Sequence, residues 1–248
     1  MKTVAIIQAR MGSTRLPGKV LRHLAGESVL AHVVARARAA RRLDGTWVAT
    51  TDSADDAPIV AECVRLGVGC FRGSEQDVLS RYSGAAAASG AGTIVRITSD
   101  CPLFDPTLLD QMLAVFHEAN QRAVTVDCLS NVIRRTHPRG LDAEIFTAGA
   151  LERANREAKQ PHEREHVTPY FYQHPELFRL RSFEGAEDLS ALRWTLDTVE
   201  DWQFIEAVYA ALYRKGAMFS TADVLKLLKS QPELSKVNAH VEQKKSGR

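Results

Sequence analysis

The run Thr3-Val4-Ala5-Ile6-Ile7 and the twelve residues after it constrain this chain more than any other stretch. A five-residue run rich in β-branched side chains is too short for a helix and suits a buried strand. It leads into Gln8-Ala9-Arg10-Met11-Gly12-Ser13-Thr14-Arg15-Leu16-Pro17-Gly18-Lys19, which sets two glycines, a proline and three cations in one loop. Gly12 and Gly18 permit close backbone approach, so peptide N–H groups can face an anion. Arg10, Arg15 and Lys19 add full charges; a guanidinium forks onto two phosphate oxygens, whereas an ammonium acts as a point charge. So much positive charge with so little counter-charge is expected to receive a polyanion, and a nucleoside triphosphate is the commonest small one. The loop is not a Walker A sequence, because Gly12 to Gly18 is one residue too long and Val20 follows Lys19; nor is it G-x-G-x-x-G.

Downstream the pattern alternates. Helices are predicted over 28–40, 57–66, 75–88 and 106–120, and strands over 46–51, 67–71, 93–98 and 123–127. Such β-α alternation demands an α/β fold: a mostly parallel sheet with right-handed crossovers and helices on both faces. Ligands then sit outside the carboxyl ends of the strands. The loop at 8–19, Thr51-Asp52, Arg72-Gly73-Ser74 and Ser99-Asp100 all fall on that edge and are expected to form one nucleotide site, with Gln8, Ala9, Gly12, Ser13 and Ser99 among its walls. The basic cluster Arg36, Arg38, Arg41, Arg42 reads as the solvated side and end of the first helix. From 129 to 192 the rhythm changes. This segment is expected to be an insertion into a single domain, acting as a lid and a dimer surface. It carries helices near 147–159 and 163–173 and an edge-like strand at 178–183. A strand at 192–196 should return to the main sheet, followed by helices from Val199 and Thr221. The tail from Lys236 to Arg248 is expected to fray.

The 248 residues carry a formal net charge of only +2, which argues against general nucleic-acid binding. Cys63, Cys70, Cys101 and Cys128 have no C-x-x-C spacing, so neither a zinc site nor a disulfide framework is indicated. No run approaches the roughly 20 apolar residues of a membrane span, and no secretory leader is recognisable. A cytoplasmic protein without membrane or nucleic-acid partners is expected.

Two aspartates stand at strand ends: Asp100 in Thr98-Ser99-Asp100-Cys101-Pro102-Leu103, and Asp197 in Leu196-Asp197-Thr198-Val199-Glu200-Asp201. In phosphate chemistry Mg²⁺ takes few protein carboxylates together with phosphate oxygens, and this pair suits it. Each aspartate also reads as a helix N-cap.

The loop at 8–19 resembles the signature of cytidylyltransferases that activate acidic sugars, the CMP-KDO and CMP-sialic acid synthetases. A nearer resemblance is to the group typified by spore coat polysaccharide biosynthesis protein F, whose Q-A-R-x-G-S-T-R-L-P-G-K form this chain matches throughout. Segments 137–142 and 162–169 look like the same group, with His137 where tyrosine is common and Ser99 where glycine is common. The resemblance implies a nucleotide-diphospho-sugar transferase-like sheet, a homodimer and Mg²⁺ held by Asp100 and Asp197. It further implies transfer of CMP from CTP to an acidic sugar or related acid, with release of pyrophosphate, for surface polysaccharide. Arg10, Arg15, Lys19 and Asp100 would be catalytic, with Thr51, Asp52, Arg72 and Ser74 placed to read base and ribose. Acceptor contacts are expected among His137, Arg139, Asp142, Glu144 and Arg164, with His162, Glu163 and His166 as further candidates; Glu163, Arg164 and His166 also read as a solvated or dimer-facing helix. A glycosyltransferase using a nucleotide sugar and a non-catalytic nucleotide-binding subunit remain the competing classes.

Overall fold

The computed structural model describes residues 1–122 and 125–242. The chain runs β1 (Thr3–Gln8), β2 (His23–Leu24), β3 (Glu27–Ser28), α1 (Val29–Arg38), β4 (Gly45–Thr51), α2 (Ala57–Leu66), β5 (Gly69–Gly73), α3 (Val78–Ser89), β6 (Thr93–Thr98) and α4 (Pro106–Gln121). It continues with β7 (Cys128–Ser130), β8 (Glu144–Thr147), α5 (Ala148–Glu157), α6 (Pro161–His166), α7 (Pro169–Gln173), β9 (Leu180–Ser182), α8 (Val199–Leu212) and α9 (Thr221–Ser230). Seven strands form one sheet in the order β5-β4-β1-β6-β8-β7-β9, while β2 and β3 make a small hairpin apart from it. The α/β architecture expected from the alternation is present.

Local chemistry explains the boundaries. Ser28, Asp77, Asp105 and Thr147 each accept a backbone N–H at the start of α1, α3, α4 and α5. Thr198 with Asp201 and Ser220 with Asp223 form reciprocal capping boxes on α8 and α9. Asp105, not Asp100, caps α4, which leaves the Asp100 carboxylate for other work.

Both sheet faces are covered. On β1, Ala5 and Ile7 point into one core with residues of α1, α2, α4, α8 and α9. Val4 and Ile6 point into a second core with residues of α3, α5 and α7. A strand sealed on both sides needs an unbroken apolar run, which is what 4–7 supplies.

Several expectations are corrected. The segment 129–192 is built into the sheet: β8 lies between β6 and β7 and runs antiparallel to both. Glu144-Ile145-Phe146-Thr147 is only four residues long and follows a polar, turn-rich stretch that hides its strand character. The expected strand at 123–127 starts instead at Cys128; Ala123 and Val124 lie outside the described residues. Residues 192–196 make no strand of the sheet, only a bridge from Arg193 to Arg139. The helix expected over 163–173 is two short ones, broken at buried Val167 with φ 71°. Arg36 is not solvated: its guanidinium is buried, donates to the Phe104 and Phe219 carbonyls and lies over the Phe219 ring. The described part of the tail is not frayed either, since Asn238 is buried; 243–248 lie outside the described residues. The edge strand near 180 stands as expected, paired on one side with β7.

Candidate active site

The loop after β1 is tied down from beneath. The Met11 N–H donates to the Asp56 carboxylate at 2.7 Å, and the same carboxylate accepts from the Thr50 hydroxyl and from the N–H and hydroxyl of Thr51. Burial alone would raise the Asp56 pKa, but those hydrogen bonds outweigh it and hold the carboxyl below its ordinary value. Gly18 takes φ 65° and opens a 3₁₀ turn, Lys19–Leu21, that carries Lys19 inward.

Lys19 lands between Asp100, just past the end of β6, and Asp197, just before α8. Its ammonium lies 2.9 Å from Asp100 Oδ2, 2.8 Å from Asp197 Oδ1 and 2.8 Å from the Leu196 carbonyl. Arg15 reaches Asp197 Oδ2 at 3.1 Å, and Arg193 reaches the same oxygen at 3.2 Å. Burial lowers the Lys19 pKa, yet the two carboxylates outweigh it and the net shift is upward. Burial likewise raises the Asp100 carboxyl, while Lys19 and hydrogen bonds bring it below its usual value. Two carboxylates that converge on one positive charge are the donor set a hard divalent cation takes when phosphate oxygens complete its shell. No cluster of three or more His, Cys, Asp or Glu with metal-ligating geometry occurs among the described residues.

A cavity of about 370 Å³ opens from this point along the loop. Gln8, Ala9, Arg10, Gly12, Ser13, Arg15, Lys19, Ser99 and Asp100 all line it, so this part of the expected nucleotide wall is assembled. Arg81 joins them, unforeseen from sequence. Gln8 Oε1 and Arg81 Nε are both buried with no hydrogen-bond partner, one acceptor and one donor. Arg10 meets Glu75 at 3.4 Å on the rim.

Four expected base and ribose readers do not line this cavity. The Thr51 side chain is spent on Asp56, and Asp52 is exposed. Arg72 donates to the Thr51 and Ser53 carbonyls, and the Ser74 hydroxyl accepts from the Asp77 N–H. Each shapes the sheet edge; none reaches the pocket.

A second cavity, about 760 Å³, shares Arg15, Thr98, Asp100, Glu165, His166 and Asp197 with the first. Arg139, Asp142, Glu144, His162 and His166 are in its wall. Asp142 is held in a two-pronged pair by Arg135 at 2.6 and 2.8 Å. Glu144 is buried between Arg96 and the Tyr172 hydroxyl. Arg139 has no side-chain hydrogen bond or ion pair among the described residues. Gly140 fixes its place: with φ 102°, a Cβ there would meet the Trp194 carbonyl carbon at 2.5 Å.

Three acceptor candidates are corrected. Arg164 binds Asp77 at 2.7 Å, Asn155 Oδ1 at 2.9 Å and two backbone carbonyls, clamping α6 against α3 and α5. Glu163 turns back onto the Lys159 and Gln160 N–H groups. His137 stacks on Phe183 and is absent from the cavity wall. Arg96, Arg135 and Tyr172 were missed; Arg96 alone carried a signal, a charge in the middle of an otherwise apolar strand.

Among the described residues no helix is long and apolar enough to cross a membrane. A family model described as cytidylyltransferase matches residues 4–243. The chain is 36% identical to spore coat polysaccharide biosynthesis protein SpsF of Bacillus subtilis over 236 residues, 92% of this chain and 94% of that one. It is 30% identical over 212 residues to 3-deoxy-manno-octulosonate cytidylyltransferase of Myxococcus xanthus, covering 77% and 83% of the two chains. The solved structure of a cytidylyltransferase from Leptospira borgpetersenii superposes with a TM-score of 0.89 at 35% identity, covering 95% and 97%. With the Asp100–Asp197 carboxylate pair, the cation loop and the fold all in agreement, this chain belongs to the cytidylyltransferase family.

Proposed function

We propose that this protein is a cytoplasmic, Mg²⁺-dependent enzyme that transfers CMP from CTP to an acidic sugar or related acid destined for surface polysaccharide. The observation that carries this reading is the junction itself: Asp100 and Asp197 line both cavities, and Lys19, in the wall of the smaller one, binds both carboxylates. The smaller cavity takes the nucleotide and the larger takes the acceptor, so the α-phosphate lies between them. Gln8 Oε1 accepts from the cytosine amino group, and Arg81 Nε donates to cytosine N3; uracil presents an acceptor at position 4 and a donor at N3. Arg10 and Arg15 hold the β- and γ-phosphates, and Lys19, held by Asp100, Asp197 and the Leu196 carbonyl, adds its charge to neutralise the leaving pyrophosphate. Asp100 and Asp197 would hold Mg²⁺, which when bound neutralises phosphate charge and acidifies a nearby hydroxyl. Arg139 pairs with the acceptor carboxylate and aims its hydroxyl at phosphorus. The new O–P bond forms in line as the bond to the β-phosphate oxygen breaks. His166, at the junction, is kept neutral by burial and is available to take the hydroxyl proton.

The test is pyrophosphate release from CTP, UTP, ATP and GTP with Mg²⁺, against a panel of acidic sugars and their neutral analogues. Release with CTP and an acid only is the expected result. Stabilisation by UDP-sugars, with no pyrophosphate from any triphosphate, would favour a glycosyltransferase instead.

A further inference from the structure

The segment beyond α9 is fastened behind the active site. A 3₁₀ turn, Pro232–Lys236, follows the helix, and Leu234 and Val237 pack on the main core. This anchoring buries Asn238 to 2% exposure. Its amide Nδ2 donates at 2.9 Å to the Arg193 carbonyl and at 2.9 Å to Asp201 Oδ1. Asp201 is fully buried and accepts from Arg193 Nε at 2.8 Å and from Arg193 Nη2 at 2.8 Å. It also accepts the N–H groups of Asp197 at 2.9 Å and Thr198 at 3.1 Å. Arg193 then extends to the Asp197 carboxylate. One continuous set of hydrogen bonds therefore runs from the tail to Asp197, and it holds that residue by backbone and by carboxylate.

We infer that Asn238 is a positioning residue for nucleotidyl transfer, setting the Asp197 carboxylate through Asp201 and Arg193. The inference rests on the reading of Asp197 as part of the reacting site. A buried carboxylate with several donors turns toward whichever are strongest, and an amide that donates at once to Asp201 and to the Arg193 backbone fixes both partners in one orientation. Groups that orient a ligating carboxylate matter for its affinity nearly as much as the ligand does.

Asn238→Asp is the informative change, because it keeps shape and volume while replacing the donor with an acceptor beside Asp201. Asn238→Ser retains one donor and serves where the aspartate variant does not fold. Two readouts are taken on the full chain. The first is Mn²⁺ binding in the presence of CTP, followed by the electron spin resonance of free Mn²⁺. The second is amide exchange of a peptide spanning 193–201, with α4 as internal reference. The expected result is Mn²⁺ affinity weakened about tenfold or more in Asn238→Asp and by less in Asn238→Ser. Amides at Asp197 and Thr198 should exchange about tenfold faster while α4 is unchanged. Wild-type values for both readouts in either folded variant would overturn the inference. Absence of Mn²⁺ binding by the wild-type protein with CTP would instead overturn the metal reading of Asp197, and the exchange comparison would still decide whether Asn238 positions it.

Discussion

Lys19 and Asp197 meet at 2.8 Å although they are far apart in the chain, and the ammonium of the first stands where the second converges with Asp100. Cation and carboxylates are mutually dependent there. Replacing Lys19 by Met leaves two crowded carboxylates with less counter-charge, and the expected loss is about 3 kcal/mol, since removing one partner strands the other's charge. Added Mg²⁺ without nucleotide should then raise the melting temperature of Lys19→Met more than that of the wild type. Equal shifts in a thermal melt would show that Lys19 does not compete with a divalent cation for the carboxylate pair. Pyrophosphate release should fall in the same variant.

Base choice should depend on Gln8 and Arg81. Gln8→Leu and Arg81→Met each remove a buried polar atom that has no hydrogen-bond partner among the described residues, the second together with the Arg81 bond to the Ser74 carbonyl. The kcat/KM preference for CTP over UTP should fall by about tenfold or more in each, because unpaired buried groups are what reject a wrong base. A preference unchanged in both variants would move the base elsewhere.

Arg139 and Arg164 should behave as opposites. Arg164→Met removes bonds to Asp77, Asn155 and the Ala158 carbonyl, and is expected to cost about 2 kcal/mol in urea denaturation. Its KM for CTP should stay within about twofold of the wild type, for want of any contact with either cavity. Arg139→Met should leave the melting temperature nearly intact and raise the KM for an acidic acceptor about tenfold, the usual loss for a charge-assisted pair.

Asp56 gives a pH signature. Its folded pKa lies below the ordinary value of 3.8, so its contribution to stability is complete above that pH and is lost as pH falls through the folded value. Asn at this position should therefore destabilise most near neutrality, by roughly 1–3 kcal/mol, with the gap to the wild type closing in acid. Urea midpoints at several pH values check this, and a gap that widens in acid would contradict the assignment.

The strand-loop of 3–19, Asp100 and the cation positions were legible because their chemistry is local: a β-branched run, glycines at loop bends, charges on a strand end. Gln8, Ala9, Arg10, Gly12, Ser13, Arg15, Lys19 and Ser99 accordingly come together on one wall. Partners distant in sequence were not legible. Thr51 looked available until Asp56 was found beneath it, and Arg164 looked like an acceptor contact until Asp77 was found beside it. Arg36 reads as surface by residue type and is buried because the Phe104 and Phe219 carbonyls meet it there. Asn238 carried no signal at all, since an asparagine in a polar tail gives no hint of a buried carboxylate in need of a donor.

The reversed strand β8 has one more consequence. Ser130 and Glu144 pair across β7 and β8, so the chain leaves and re-enters the sheet at the edge where β6 delivers Asp100. Residues 131–143 are thus a cassette with both feet on neighbouring rungs. Asn131, Leu141 and Ala143 are buried and Arg139 bridges Arg193, so a change in this segment carries to the residues that lead to Asp197. A fold arranged this way ties the wall of the larger cavity to the backbone that carries Asp197, so neither can be rewritten alone.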